Sequence, residues 1–206
     1  MARTSRADKA RTRQRILAQA SRAFRTNGVS NVSIPALMNS VGLTHGTFYA
    51  HFGSKDALLA ETYAQRIDEV IDGLLRPAER ASKERKVDAI LDTYLTAEHR
   101  DNLADGCFFP TMAGEVRLES SAARGEFSNA LKRYFARLAA ILPKPGPKAH
   151  EDGELVLASG MVGAIVLARA VDDPALSDRI LNACRTFYSD AFANPRPSAV
   201  RSEARK

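Results

Sequence analysis

Gly28, Gly42 and Gly53 punctuate the chain, so what lies between them can form only short elements. The stretch SIPALMNSVGLTHGTFYAHFGSK, residues 33–55, shows this most clearly. Before it, Ile16, Leu17, Ala20, Ala23 and Phe24 form one apolar stripe and predict a helix over 9–26. Asn27-Gly28 closes that helix, since both residues tolerate the left-handed conformation that ends one. Ile34, Leu37, Met38 and Val41 recur at i, i+3, i+4 and i+7 and predict a second helix over 34–41. Ser33 is its natural N-cap, and Pro35 lies in the first turn, where proline is tolerated. Gly42-Leu43 makes a turn, and Thr44 caps a third helix over 45–51. Gly53 breaks the pattern, and Ser54 caps a long fourth helix. Leu58, Leu59, Tyr63, Ile67, Val70, Ile71 and Leu74 carry it to about 75, with Pro77 just beyond.

The remainder repeats helical spacing, and no segment alternates apolar and polar residues as a half-buried strand would. Val87, Ile90, Leu91, Tyr94 and Leu95 mark a fifth helix. A sixth is expected near Pro110. A seventh runs from Phe127 to Leu142 and is ended by PKPGPK (143–148). An eighth spans 151–171, and a ninth is capped by Asp173 with Pro174 at its first position. In the ninth, Leu176, Ile180, Cys184, Phe187 and Ala191 are expected to face inward. The tail from Pro195 reads as disordered. The most apolar stretch, LVLASGMVGAIVLA (155–168), is shorter than the ~18 residues of a membrane span. The expected fold class is all-α, with no membrane association.

On a wheel at 100° per residue, Phe48 and Phe52 of the third helix face the core with Leu43, and Gly46 and Ala50 lie opposite. His45, Thr47 and Tyr49 flank that small-residue face, with His51 nearer the core. Two short helices joined by a Gly-containing turn form a helix-turn-helix unit, whose second helix enters a DNA major groove. Small side chains there let the backbone approach base edges. Ser33 and Lys55, at helix starts, suit phosphates. Charge agrees with a double-stranded DNA partner. The 206 residues carry a net +6, and Arg3, Arg6, Lys9, Arg11, Arg13, Arg15, Arg22 and Arg25 are opposed only by Asp8 in the first 25.

The segment TRQRILAQASRAFRTNGVSNVSIPALMNSVGLTHGTFYAHFGSKDALL (12–59) resembles the TetR family of one-component transcriptional regulators. Gly42, Thr44, Gly46, Thr47, Tyr49, Phe52, Lys55 and Leu58 carry the resemblance. It implies a homodimer, usually a repressor, released from a palindromic operator when a small-molecule inducer binds the C-terminal half. It also implies DNA contacts at Ser33, His45, Thr47, Tyr49, His51 and Lys55, with Thr44 and Gly46 completing the DNA-facing set. Pro35 departs from the polar or basic residue often found there. The expected organisation is a three-helix helix-turn-helix domain at 1–53, a helical ligand-binding and dimerisation domain at 54–194, and a basic tail at 195–206.

Within the second domain, DGCFFPTMAGEV (105–116) is the candidate sensing segment. Cys107 precedes an expected helix start, where the dipole can favour a thiolate. Similar Gly-Cys segments occur in a TetR subgroup that includes electrophile sensors, although there a proline often follows the cysteine directly. Phe108, Phe109 and Met112 could line an apolar pocket. The eighth helix is apolar nearly all round. Gly160, Gly163, Ala164 and Leu167, with Phe187 of the ninth, are the candidate dimer interface. No metal or cofactor is expected. Neither a phosphate-cradling loop nor a nucleophile elbow is present, which argues against an enzyme. A cytoplasmic location is the simplest expectation. A thiol-based regulator acting through Cys107 and a constitutive DNA-binding protein without an inducer remain open at this level.

Overall fold

The computed structural model describes residues 6–142 and 152–192, so the linker 143–148 and the tail from Pro195 lie outside the described residues. Among the described residues ten α-helices run in order: α1 (Arg6–Asn27), α2 (Ile34–Ser40), α3 (His45–Tyr49), α4 (Lys55–Arg80), α5 (Lys86–Tyr94), α6 (Ala97–Asp101), α7 (Phe109–Met112), α8 (Ser121–Ile141), α9 (Gly153–Ala170) and α10 (Pro174–Phe192). Short 3-10 turns at Lys83–Arg85 and Val116–Leu118 join α4 to α5 and α7 to α8. No strand occurs among the described residues. The fold is all-α: an N-terminal helix-turn-helix domain followed by a helical C-terminal domain.

The expected caps are present. Ser33, Thr44 and Ser54 accept the backbone N–H three residues on at 3.3, 3.3 and 3.0 Å. Each satisfies a donor the first helical turn leaves unpaired. Gly28 and Gly42 take positive φ of 76° and 68°, the conformation the two turns demand. Ile16, Leu17, Phe24, Met38, Phe48 and Leu58 close the small N-terminal core. Each such side chain contributes roughly 1.5–3 kcal/mol of burial. α4 packs on α1 below and most extensively on α8 above, so one helix belongs to both halves.

Four expectations change. α4 does not stop near 75 but runs through Pro77 to Arg80. Gly73, four residues earlier, is exposed, so the carbonyl robbed of its partner can turn to water. α6 is an additional helix, set by Thr96, whose hydroxyl accepts the His99 N–H at 3.0 Å. In α10, Ser177, Leu181 and Tyr188 are the buried residues. Leu176, Ile180 and Cys184 are only half-buried, while Phe187 and Ala191 are exposed. Finally, α9 extends past 155–168 to 18 residues of mean hydropathy 1.5, long and apolar enough by composition to cross a membrane. Its buried side packs on α7, α8 and α10, and Val156, Val166 and Leu167 remain exposed rather than buried all round.

Candidate nucleic-acid interface

α3 presents two opposite faces. Phe48 is fully buried and Phe52 nearly so, their rings stacked at 5.6 Å. Gly46 and Ala50 are exposed, and a Cβ on Gly46 would meet only the Thr44 hydroxyl, at 4.0 Å. His45 and Tyr49 stand beside them, edge to face at 5.4 Å, with Tyr49 59% exposed. The Thr44 and Thr47 hydroxyls lie 2.9 Å apart and offer paired donors and acceptors at the start of the helix. A thin backbone flanked by hydroxyl, imidazole and phenol groups fits the shape and chemistry of a groove-reading helix.

The other DNA-contact candidates are placed differently. Ser33 is exposed at the start of α2. His51 stands apart from the open face: its ring Nδ1 is buried without a partner among the described residues. Burial, together with Lys9 and Arg13, pushes the His51 pKa below its ordinary value. Lys55 is half-buried, and its Nζ donates to the Val29 carbonyl at 2.5 Å, which leaves further N–H bonds for a phosphate.

The basic arm of α1 is partly structural. Arg13 holds Glu61 of α4 through a bond of 2.9 Å from Nε, donates to the His51 carbonyl, and lies 4.2 Å over the Phe52 ring. Arg15 donates to the Val41 carbonyl at 2.8 Å and so fixes the turn between α2 and α3. Arg22 pairs with Asp105, and Arg25 reaches the Gly106 carbonyl at 2.8 Å while lying 4.6 Å over Phe108. These arginines orient α3 and tether α1 to the segment at Asp105 and Gly106. Their partners lie 26 to 83 residues away, beyond anything local spacing reveals.

In the C-terminal half, Cys107 is buried, and its N–H donates to His99 Nε2 at 3.0 Å. His99 Nδ1–H in turn donates to the Tyr94 carbonyl at 2.7 Å. Burial pushes the Cys107 thiol up, against the expected thiolate. The helix that follows is one turn long, too short for its dipole to offset desolvation. Phe108, Phe109 and Met112 do not line an open pocket. Phe109 packs on Phe127 and Tyr134 at 5.5 and 5.3 Å, and all three residues fill the core. A cleft of about 500 Å³ opens elsewhere, between Val70 and Leu74 of α4, Thr93 of α5, and Glu98 and His99 of α6.

The candidate interface residues of α9 and α10 divide. Leu167 and Phe187 are 58% and 64% exposed, and Gly163 has open space around it. Ala164 is buried within the chain. Gly160 lies under Tyr188, whose hydroxyl would collide with any Cβ there. Gly160 thus serves the packing of α9 on α10, while Ala164 belongs to the core of its own chain.

Residues 16–62 match the family model of bacterial regulatory proteins, tetR family. No curated protein matches the chain. Among solved structures, a TetR-family transcriptional regulator from Agrobacterium tumefaciens superposes with a TM-score of 0.74 at 17% identity, over 90% of this chain and 100% of that one. A putative transcriptional regulator from Saccharomonospora viridis in complex with choline gives 0.73 at 18%, over 90% and 99%. The reduced form of E. coli NemR gives 0.71 at 19%, over 90% and 98%. Residues 16–62 thus carry the helix-turn-helix match to the tetR family, and the described chain shares the all-helical fold of these solved regulators.

Proposed function

We propose that the chain is a one-component regulator, most simply a repressor, that binds a palindromic operator as a homodimer and leaves it when a small molecule binds. The observation that carries this reading is the exposed Gly46–Ala50 face of α3, backed by the buried Phe48 and Phe52. Residues 1–53 form the reading domain in this account, and 54–194 the sensing and dimerising one. Thr44, His45, Thr47 and Tyr49 read bases, while Ser33 and Lys55 hold phosphates.

Dimerisation falls to α9 and α10. Val156, Leu167 and Phe187 are large apolar residues that a lone chain leaves in water, and a second copy related by a two-fold axis would cover them. A dimeric reader needs its two recognition helices about 34–36 Å apart, or a multiple of that. An inducer acts by binding better to a form in which that spacing is lost. The cleft beside α4 is our candidate inducer site, because α4 spans both halves. The choline complex of a protein of similar fold supports a small-molecule ligand.

Selection of bound sequences from random duplex DNA tests the reading. Recovery of an inverted repeat, with binding that weakens steeply as salt rises, is the expected result. Failure to enrich any sequence, or a complex indifferent to salt, contradicts it.

A further inference from the structure

Val29 is held from both halves of the molecule at once. It is 3% exposed and follows the positive-φ Gly28 at the end of α1. Its N–H donates to Glu115 Oε2 at 2.8 Å, from the segment that follows α7. Its carbonyl accepts from Lys55 Nζ at 2.5 Å, at the first residue of α4. Glu115 lies so close that a Cβ on Gly28 would sit 2.3 Å from its Oε1. Gly28 is therefore demanded twice, by its backbone conformation and by the carboxylate against it. Beyond Val29, a cleft of about 300 Å³ is bordered by Lys55, Asp56 and Glu119, so the lysine stands at the seam of the two domains.

We infer that Glu115 is a positioning residue that sets the DNA-contacting Lys55 by fixing Val29, giving the sensing half a grip on the phosphate contact that does not pass along α4. The inference rests on the regulator reading and on Lys55 as a phosphate contact. Its physical basis is rigidity. A residue bonded at both its N–H and its carbonyl cannot rotate without breaking one bond, so a shift of the segment around Glu115 moves the acceptor that holds Lys55.

The test is a double-substitution cycle on operator affinity in the full-length chain. Glu115→Ala is expected to weaken binding about three- to tenfold, the net scale of one ordinary hydrogen bond, since its effect reaches the DNA only through Val29 and Lys55. Glu115→Gln keeps an acceptor and should retain most of the affinity. Placed on Lys55→Met, Glu115→Ala should have no further effect, because its route is already cut. A Glu115→Ala loss of the same size on both backgrounds overturns the inference, as does unchanged affinity in Glu115→Ala or in Lys55→Met. Circular dichroism melts of each variant separate this from unfolding, since a merely structural role would lower stability and affinity additively. If the unsubstituted chain binds no DNA, the regulator reading itself fails; an additive cycle in a chain that binds contradicts only the Glu115 route.

Discussion

The Arg25 guanidinium donates to the Gly106 carbonyl across 81 residues of sequence, and in doing so ties the last turn of α1 to the segment that leads into α7. Arg25 is 4% exposed, and its pKa is lowered to about 10, chiefly by desolvation. It remains charged at neutral pH, so its hydrogen bonds and the Phe108 face must compensate a buried cation.

Replacing Arg25 with alanine should therefore cost about 2–3 kcal/mol of folding stability. Arg25→Lys should recover only part, because an ammonium cannot stack flat on a ring while donating sideways. Urea denaturation measures both. Asp105→Ala, by contrast, removes an exposed pair with Arg22 and should cost less than about 1 kcal/mol. Equal losses at the two sites would contradict the distinction.

His99 predicts an acid-sensitive stability. Burial lowers its pKa below the unfolded value of about 6.5, with Arg169 pushing the same way and the Tyr94 carbonyl opposing. As pH falls, the unfolded chain takes up the proton first. The stability contribution is complete above about pH 6.5 and is lost as pH drops toward the lower, folded pKa. The slope from this one group cannot exceed about 1.4 kcal/mol per pH unit. His99→Gln, which can still bond the Cys107 N–H and the Tyr94 carbonyl, should flatten the curve between pH 6.5 and 5. Some slope should persist from His51, whose shift has the same sign. An unaltered curve in His99→Gln would contradict the assignment.

Gly160 and Leu167 lie on one helix and should fail differently. Gly160→Ala forces a methyl into the Tyr188 hydroxyl and should cost about 1–3 kcal/mol by overpacking. Leu167→Glu alters an exposed position, so it should leave a folded chain that sediments as a monomer. Sedimentation velocity together with thermal melts distinguishes the two. A Leu167→Glu dimer as tight as the unsubstituted one would remove α9 from the proposed interface.

Much of the N-terminal domain was legible because its signals are local. Ser33, Thr44 and Ser54 were readable as caps, and Phe48 against Gly46 as core against surface, since each depends on residues within a turn. Proline misled where a neighbour relieved it: Pro77 reads as a stop, yet α4 continues beside an exposed glycine. Thr96 carried a legible cap signal for α6, hidden by the short span that follows it. The contacts that orient the site were illegible for another reason. Arg13 with Glu61, Glu115 with Val29, and Arg25 with Gly106 join residues 48, 86 and 81 positions apart, and such pairs exist only once the chain is folded. Phe187 shows the opposite limit. An apolar helical stripe says that a face is covered, but not whether by the same chain or by another.

The small face of α3 can be tested without any knowledge of the inducer. Gly46→Leu meets nothing nearer than the Thr44 hydroxyl at 4.0 Å from its Cβ, and leucine favours helix over glycine by up to about 1 kcal/mol, so the variant should fold at least as stably. On DNA, the same side chain stands between the α3 backbone and the base edges. Fluorescence anisotropy on the selected operator should show Gly46→Leu binding at least about 100-fold more weakly, the scale of losing two base contacts. A stable variant that still binds the operator with unsubstituted affinity would contradict the claim that this face reads DNA.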